Sequence, residues 1–145
     1  MLILSACVTT QPSPIMFDES QFAQLRFLEG RFQGTGPDGR PFFEEYVFTS
    51  ERRLEARRYS DSTFTAQIDS SAVTLVNGEV TSNWSEFTWR AISLAPTKAC
   101  FNPINAPSSF CWERADDQRV VATHRWTGPE GNEQTQSVAL TRVSG

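Results

Sequence analysis

A chain of 145 residues is long enough to bury one hydrophobic core and too short to divide into two ordinary domains, so we expect a single folded domain. The net charge of −4 and the pI near 5.0 argue against nucleic acid as a partner, because no overall positive field attracts phosphate. No run reaches the roughly 18 apolar residues that a membrane-spanning helix needs. The 11 Phe and 4 Trp residues can build a core or line a pocket.

The first residues, Leu4-Ser5-Ala6-Cys7, resemble the lipobox of bacterial lipoproteins, in which a Leu and two small residues precede a lipidated Cys. The resemblance implies that Cys7 is the lipidation site and that residues 1–17 are a truncated signal and a polar, Pro-rich tether. Val8 is not the Asp that retains many lipoproteins at the inner membrane, which implies the outer membrane, with the domain facing the periplasm. The segment before Cys7 has no Lys or Arg and few apolar residues. The alternative is therefore a short apolar N-terminus on a cytosolic protein that effectively starts at Met16.

The folded domain, residues 18–145, is predicted to open with a short helix. Asp18 is a suitable N-cap, and Phe22, Leu25 and Leu28 share one helical face before Gly30. Beyond Gly30 the pattern changes to short apolar runs divided by turn residues, which is typical of β-strands. We predict strands at 31–35, 41–49, 51–60, 63–69, 73–76, 79–81, 84–94, 97–102, 109–115, 118–126 and 134–143.

The clearest alternation is in residues 63–69, where Phe64, Ala66 and Ile68 share one face of a predicted strand. The strongest turn is Asn77-Gly78, because this dipeptide readily adopts the positive φ angles of a two-residue hairpin. Sequential short strands of this kind favour a closed up-and-down barrel, which leaves no exposed sheet edge. The sequence thus predicts an all-β protein, a single antiparallel barrel of about 8–10 strands.

Phe27-Leu28-Glu29-Gly30-Arg31-Phe32-Gln33-Gly34 leads into the first predicted strand, and Phe101-Asn102-Pro103 lies late in the chain. Both segments resemble those of a family of uncharacterised bacterial lipocalin-like domains of the calycin type. The resemblance extends from about residue 20 to 143 and implies a ligand-binding barrel. Phe32 stands where lipocalins usually carry Trp.

Cys100 and Cys111 are predicted to form a disulfide. Side chains alternate along a strand, so Cys100 and Phe101 lie on opposite faces of the predicted sheet. Cys111 likewise lies on the face opposite to Phe110 and Trp112, and both cysteines therefore point away from the aromatic side. Neighbouring antiparallel strands could bring them into bridging range, and such a bond fits the periplasm. The alternative is two unpaired buried thiols. We expect no metal site, because the chain has no Cys-x-x-Cys and only 1 His.

That residue, His124, shares a predicted strand face with Val120, Ala122 and Trp126 and is expected to point into the barrel. In nitrobindin-like barrels, which are relatives by fold, a His from a late strand ligates haem iron. A partly buried His with a hydrogen-bonded neighbour is the simpler expectation, and we expect no cofactor.

We expect no enzymatic activity, because no catalytic motif is recognisable. Glu44 and Glu45 are adjacent on a strand and face opposite ways, so they cannot form a carboxylate pair. A basic stretch that includes Arg57 and Arg58 could meet an anionic head group, but a solvated strand face is favoured.

The sequence therefore favours a non-enzymatic envelope lipoprotein whose barrel binds a small, mainly apolar ligand. The alternatives are a haem-binding barrel that uses His124, or a structural or interaction lipoprotein with a filled barrel. The candidate ligand-binding residues share aromatic character or a predicted inward position. They are Phe43, Tyr46, Phe48, Phe64, Phe87, Trp89, Trp112, His124 and Trp126.

Overall fold

The computed structural model describes residues 15–143. The predicted lipidation site, Cys7, and the tether up to Pro14 lie outside the described residues. Within the described part, a short helical segment precedes strands that follow one another to the C-terminal end of that range. The predicted all-β class is confirmed.

The helical segment begins where the sequence predicted, and it covers one end of the barrel. Helix α1 (Glu19–Phe22) continues directly as the 3-10 helix η1 (Ala23–Leu28). Asp18 and Gln21 form a capping box, in which the Gln21 backbone N–H donates to Asp18 Oδ1 at 2.8 Å and the Asp18 N–H donates to Gln21 Oε1 at 2.9 Å.

Within residues 15–143, ten antiparallel strands close into a barrel in which each strand pairs with the next one along the chain and the last pairs with the first. The first five strands are β1 (Gly30–Thr35), β2 (Pro41–Ser50), β3 (Arg53–Tyr59), β4 (Gln67–Val76) and β5 (Glu79–Trp84). The remaining five are β6 (Phe87–Ala95), β7 (Lys98–Pro103), β8 (Ser109–Arg114), β9 (Arg119–Thr127) and β10 (Glu133–Arg142). The predicted up-and-down barrel is confirmed at the upper end of its expected strand number.

The Asn77-Gly78 hairpin is confirmed, because both residues have positive φ angles, of 52° and 81°, between the paired residues Val76 and Glu79. The predicted strand 84–94 is wrong at its start. Ser85 has a φ of 53° and forms a turn with Glu86, so β5 ends at Trp84 and β6 begins at Phe87.

The predicted strand at 63–69 is wrong for most of its length. Phe64 has a φ of 56° and lies in the loop between β3 and β4, and β4 begins only at Gln67. The cause is Asp61, whose carboxylate accepts hydrogen bonds from the backbone N–H groups of Thr65, at 3.1 Å, and Ala66, at 2.8 Å. These local bonds offer the backbone an alternative to sheet pairing. Hydrogen bonds from the hydroxyls of Thr63 and Thr65, with those backbone bonds, hold the pKa of Asp61 far below its usual value.

The helical segment closes the end of the barrel that carries the β2–β3 and β4–β5 turns. The backbone N–H of Phe17 donates to the carbonyl of Gly78 at 2.7 Å, and Arg52 pairs with Glu19 at 2.6 Å. Arg142 donates from its guanidinium to the carbonyl oxygens of Glu29, at 2.7 Å, and Phe27, at 2.8 Å. The half of the interior beneath this segment is filled by fully buried side chains that include Phe22, Leu25, Leu28, Phe32, Leu54, Val80, Phe101 and Leu140.

The predicted disulfide is present between Cys100 and Cys111, which are direct partners across β7 and β8. Their neighbours Phe101, Phe110 and Trp112 are buried inside the barrel, so alternation places the disulfide on the outer face. The expectation that the cysteines point away from the aromatic side is confirmed.

Candidate functional site

The half of the barrel away from the helical segment contains a cavity of about 400 Å³. Its wall is mainly apolar, and it lies on the inward faces of strands from most of the barrel together with the β1–β2 turn. The lining residues are Gly36, Pro37, Phe42, Glu44, Tyr46, Ala56, Arg58, Asp69, Ser71, Ser82, Trp84, Trp89, Phe110, Trp112, Ala122, His124, Gln136, Val138 and Leu140. The interior is therefore packed at one end and open at the other.

Aromatic rings in edge-to-face contact form one part of the cavity wall. Phe110 lies at the centre of this group, with its ring centroid 5.4 Å from Trp89 and 4.9 Å from Trp112. The Tyr46 ring also contacts Trp112, with the ring centroids 5.9 Å apart at an interplanar angle of 87°. Edge-to-face packing fixes ring orientation, so this wall is preformed.

A row of alternating charge forms another part of the wall, on β2, β3 and β4. Arg58 lies between two carboxylates, with Nη2 3.3 Å from Glu44 Oε1 and Nη1 3.9 Å from Asp69 Oδ2. The Glu44 side chain is only 12% exposed, whereas Arg58 and Asp69 are 43% and 37% exposed, so Glu44 is the most buried of the three charges. Within residues 15–143 the Nε of Arg58 is buried without a hydrogen-bond partner.

Tyr46 joins the aromatic and the charged parts of the wall. Its hydroxyl donates to Glu44 Oε2 at 2.5 Å. Burial raises the pKa of Tyr46 well above its usual value, and the adjacent Glu44 carboxylate raises it further. Tyr46 is therefore a neutral hydrogen-bond donor at any physiological pH, and it holds the Glu44 carboxylate in place.

His124 lies in the cavity, as expected from alternation along β9. Its ring is tilted against Phe110 at a centroid distance of 5.7 Å, and its Nδ1 is 3.5 Å from Ser108 Oγ. Burial lowers the pKa of His124, and the nearby Glu44 carboxylate opposes that shift. Burial thus favours the neutral form of the imidazole.

Four of the predicted ligand-binding residues line the cavity, namely Tyr46, Trp89, Trp112 and His124. Their role in binding stays a prediction.

The other five predicted residues lie elsewhere. Phe48 packs against Phe22, at 5.9 Å, near the closed end. Phe87 stacks with Trp84 beside the open end, where Trp126 is 37% exposed near the end of β9.

Phe43 and Phe64 require a correction, because they form a separate cluster with Tyr59 away from the cavity. In the run Phe42-Phe43 it is Phe42 that faces inward, directly across from Gly34. Phe43 therefore faces outward, and Phe64, which is in a loop, packs on it at 5.8 Å.

The sequence reasoning missed the charged residues of the site. Glu44 was correctly expected to face away from Glu45, but its position inside the barrel was not recognised. The spacing of the residues could have indicated these inward positions. Residues 42, 44 and 46 share one face of β2, and Leu54, Ala56 and Arg58 share one face of β3. Arg58 was expected on a solvated face, and the structure places it in the cavity wall instead.

Within residues 15–143, no group of three or more His, Cys, Asp or Glu side chains is arranged to hold a metal ion. No helix in the same range has the length and apolar character that would carry it across a membrane.

No protein-family model matches the chain, and no curated protein matches it significantly. Among solved structures, the chain is similar to EF1p2_mFAP2b bound to DFHBI, with 10% identity, coverage of 85% of this chain and 99% of that chain, and a TM-score of 0.41. It is also similar to a redesigned beta barrel, b11L5F_LGL, with 13% identity, coverage of 91% and 100%, and a TM-score of 0.36. By its own topology, the described part of the chain is a closed ten-stranded antiparallel barrel with an internal cavity. Membership of the lipocalin-like family stays a prediction.

Proposed function

We propose that this protein is a non-enzymatic binding protein that holds one small, mainly apolar molecule in the barrel. The observation that carries the proposal is the cavity of about 400 Å³ with its mainly apolar wall. Protein interiors are normally close-packed, and apolar side chains that border unfilled space lose dispersion contacts. A ligand that filled this space would restore those contacts, and the size lies within the range of small-molecule sites.

The proposal that the protein is not an enzyme is supported by the arrangement around its one His. The hydroxyl of Ser108 approaches His124, with Oγ 3.5 Å from Nδ1, which is at the outer limit of a hydrogen bond. We expect no turnover of activated esters above that of an Ser108→Ala variant.

Binding can be tested with a substitution that fills the cavity. Ala122 lines the cavity on β9, whereas its neighbour Val121 faces the other way, so Ala122→Phe and Val121→Phe add the same ring inside and outside. We expect the neutral dye N-phenyl-1-naphthylamine to fluoresce strongly with the wild type and with Val121→Phe. Ala122→Phe should weaken dye binding at least about tenfold, which corresponds to about 1.4 kcal/mol.

The result that would contradict the proposal is equal dye binding by all three proteins, or none by the wild type. Native mass spectrometry of protein purified from its own cells supplies an independent test. A bound small molecule that is absent from Ala122→Phe would support the proposal, whereas a wild type without any would favour a structural or interaction role.

We also propose that the domain is tethered to the bacterial envelope by a lipid on Cys7 and faces the periplasm from the outer membrane. The proposal is supported by the lipobox-like residues Leu4-Ser5-Ala6-Cys7 and by the Cys100–Cys111 disulfide, since such bonds persist in oxidising compartments. Labelled palmitate should enter the precursor expressed in its native cells and should not enter a Cys7→Ala variant. A precursor that stays unlabelled beside a labelled control lipoprotein would contradict the tether.

A further inference from the structure

The formal charges of the side chains that line the cavity do not sum to zero. The titratable side chains in its wall are Glu44, Tyr46, Arg58, Asp69 and His124. Burial favours the neutral form of both Tyr46 and His124. Two carboxylates therefore face one guanidinium, which leaves the cavity wall with one net negative charge.

We propose that the natural ligand is an aromatic or similarly flat apolar molecule that carries one cationic nitrogen, with the nitrogen directed at the Glu44 carboxylate. This inference rests on the proposed binding function and narrows its ligand class. It depends on the juxtaposition of a mostly buried carboxylate with aromatic rings in a single cavity.

Glu44 retains the capacity to accept a hydrogen bond from a ligand. Its Oε2 accepts from Tyr46 and its Oε1 accepts from Arg58, one bond each. A carboxylate oxygen has two acceptor positions, so both oxygens can accept once more. A hydrogen bond from a cationic nitrogen to a carboxylate is roughly twice as strong as a neutral one, and the burial of Glu44 reduces screening by solvent.

The aromatic wall suits the flat part of the proposed ligand. The Tyr46 ring adjoins Glu44 through the hydroxyl bond, and Trp112 lies next to Tyr46. A flat apolar body would pack on these rings while its nitrogen reached Glu44. The same cavity therefore serves both parts of the proposed ligand.

An anionic ligand fits this wall less well. Arg58 is the cationic side chain among the residues that line the cavity, and both of its terminal nitrogens already face carboxylates, Glu44 at 3.3 Å and Asp69 at 3.9 Å. A ligand carboxylate placed beside Arg58 would have to approach those two like charges. Repulsion from Glu44 and Asp69 opposes this approach.

The inference can be tested with three indoles of similar size and different charge: tryptamine, a cation; tryptophol, its neutral hydroxyl analogue; and indole-3-acetate, an anion. Isothermal titration calorimetry at pH 7.5 and low salt gives their affinities for the wild-type protein. We expect tryptamine to bind about tenfold more tightly than tryptophol, and indole-3-acetate to bind least tightly. The preference should shrink as salt is raised.

Two variants test whether the preference for tryptamine depends on the Glu44 carboxylate. Glu44→Gln keeps the size of the side chain and can still accept from Tyr46, and we expect it to reduce the tryptamine preference to within about threefold. Glu45→Gln removes the same charge from the outward position next to it, where Glu45 pairs with Arg31 at 2.7 Å, and should leave the preference unchanged. If Glu44→Gln does not fold, Asp69→Asn removes a partly exposed carboxylate from the same wall and should also lower the preference.

The outcomes separate this inference from the proposed function. Equal binding of tryptamine and tryptophol, or tightest binding of indole-3-acetate, would overturn the cationic assignment. A preference that survives in folded Glu44→Gln, or in Asp69→Asn where Glu44→Gln does not fold, would also overturn it. In each of those cases dye binding that is blocked by Ala122→Phe would leave the binding function standing. Failure of the wild type to bind the dye and all three indoles would overturn both proposals.

Discussion

Loss of the Cys100–Cys111 disulfide is expected to destabilise the barrel by an amount that follows from the position of the bond. The two residues are separated by 11 in sequence. In the chain-entropy model, a disulfide that closes a loop of that length lowers the entropy of the unfolded chain by about 9 cal/mol/K. At 25 °C this raises the free energy of unfolding by about 3 kcal/mol. With an m-value of about 1.5 kcal/mol/M, the urea midpoint should fall by about 2 M.

The assay is urea unfolding followed by tryptophan fluorescence, because Trp112 is buried next to Cys111 in the chain. A Cys7→Ser background prevents mixed disulfides. Protein treated with dithiothreitol and a Cys100→Ala/Cys111→Ala variant should lose the same stability relative to the oxidised protein. A midpoint that stays unchanged after mass spectrometry has verified full reduction would refute the chain-entropy reasoning for this hairpin.

Three further predictions concern the closed end and His124. Arg142→Met should lower the free energy of unfolding by about 2–3 kcal/mol in urea titrations, because two carbonyl groups, of Phe27 and Glu29, lose a charged donor; a loss below about 0.5 kcal/mol would contradict this role. Because the pKa of His124 is lowered by folding, the unfolded chain binds the proton more readily, and stability should fall as pH drops below about 6.5. His124→Gln should flatten that part of the pH profile, and an identical profile would refute the assignment. If the barrel binds haem through His124, reconstitution should give a Soret band that His124→Ala abolishes; a spectrum equal to free haem would end that alternative.

Much of the fold follows from local features of the sequence. The Asp18 cap and the Asn77-Gly78 turn each depend on side-chain or backbone preferences within a few residues, and both were predicted correctly. The disulfide was predictable for a related reason, since strands joined by a short connection pair with each other and place Cys100 opposite Cys111.

The positions that were predicted wrongly or missed have physical causes that the alternation of apolar and polar residues does not reveal. Phe64 belongs to a loop because the Asp61 carboxylate accepts hydrogen bonds from the backbone N–H groups of the next two residues, Thr65 and Ala66. A hydrophobic pattern does not reveal such bonds. Phe42 and Phe43 are both aromatic, so the pattern cannot decide which one faces inward. Charged side chains are usually solvated, so the sequence favours a solvated face for Arg58 and gives no inward assignment for Glu44. Mutual pairing close to an open cavity makes the inward position of both residues tolerable.

The arrangement of strands has a consequence for how the protein folds. Nine of the ten strand pairs in the described chain join strands that are neighbours in sequence. Each of these pairs can form as a hairpin without first closing a long loop. The remaining pair joins β1 to β10 through the partners Phe32 with Arg142 and Gln33 with Thr141. This seam requires nearly the whole chain to come together, so we expect its formation to be the late, rate-limiting event. Slowing of refolding should therefore be greatest for substitutions that weaken the seam.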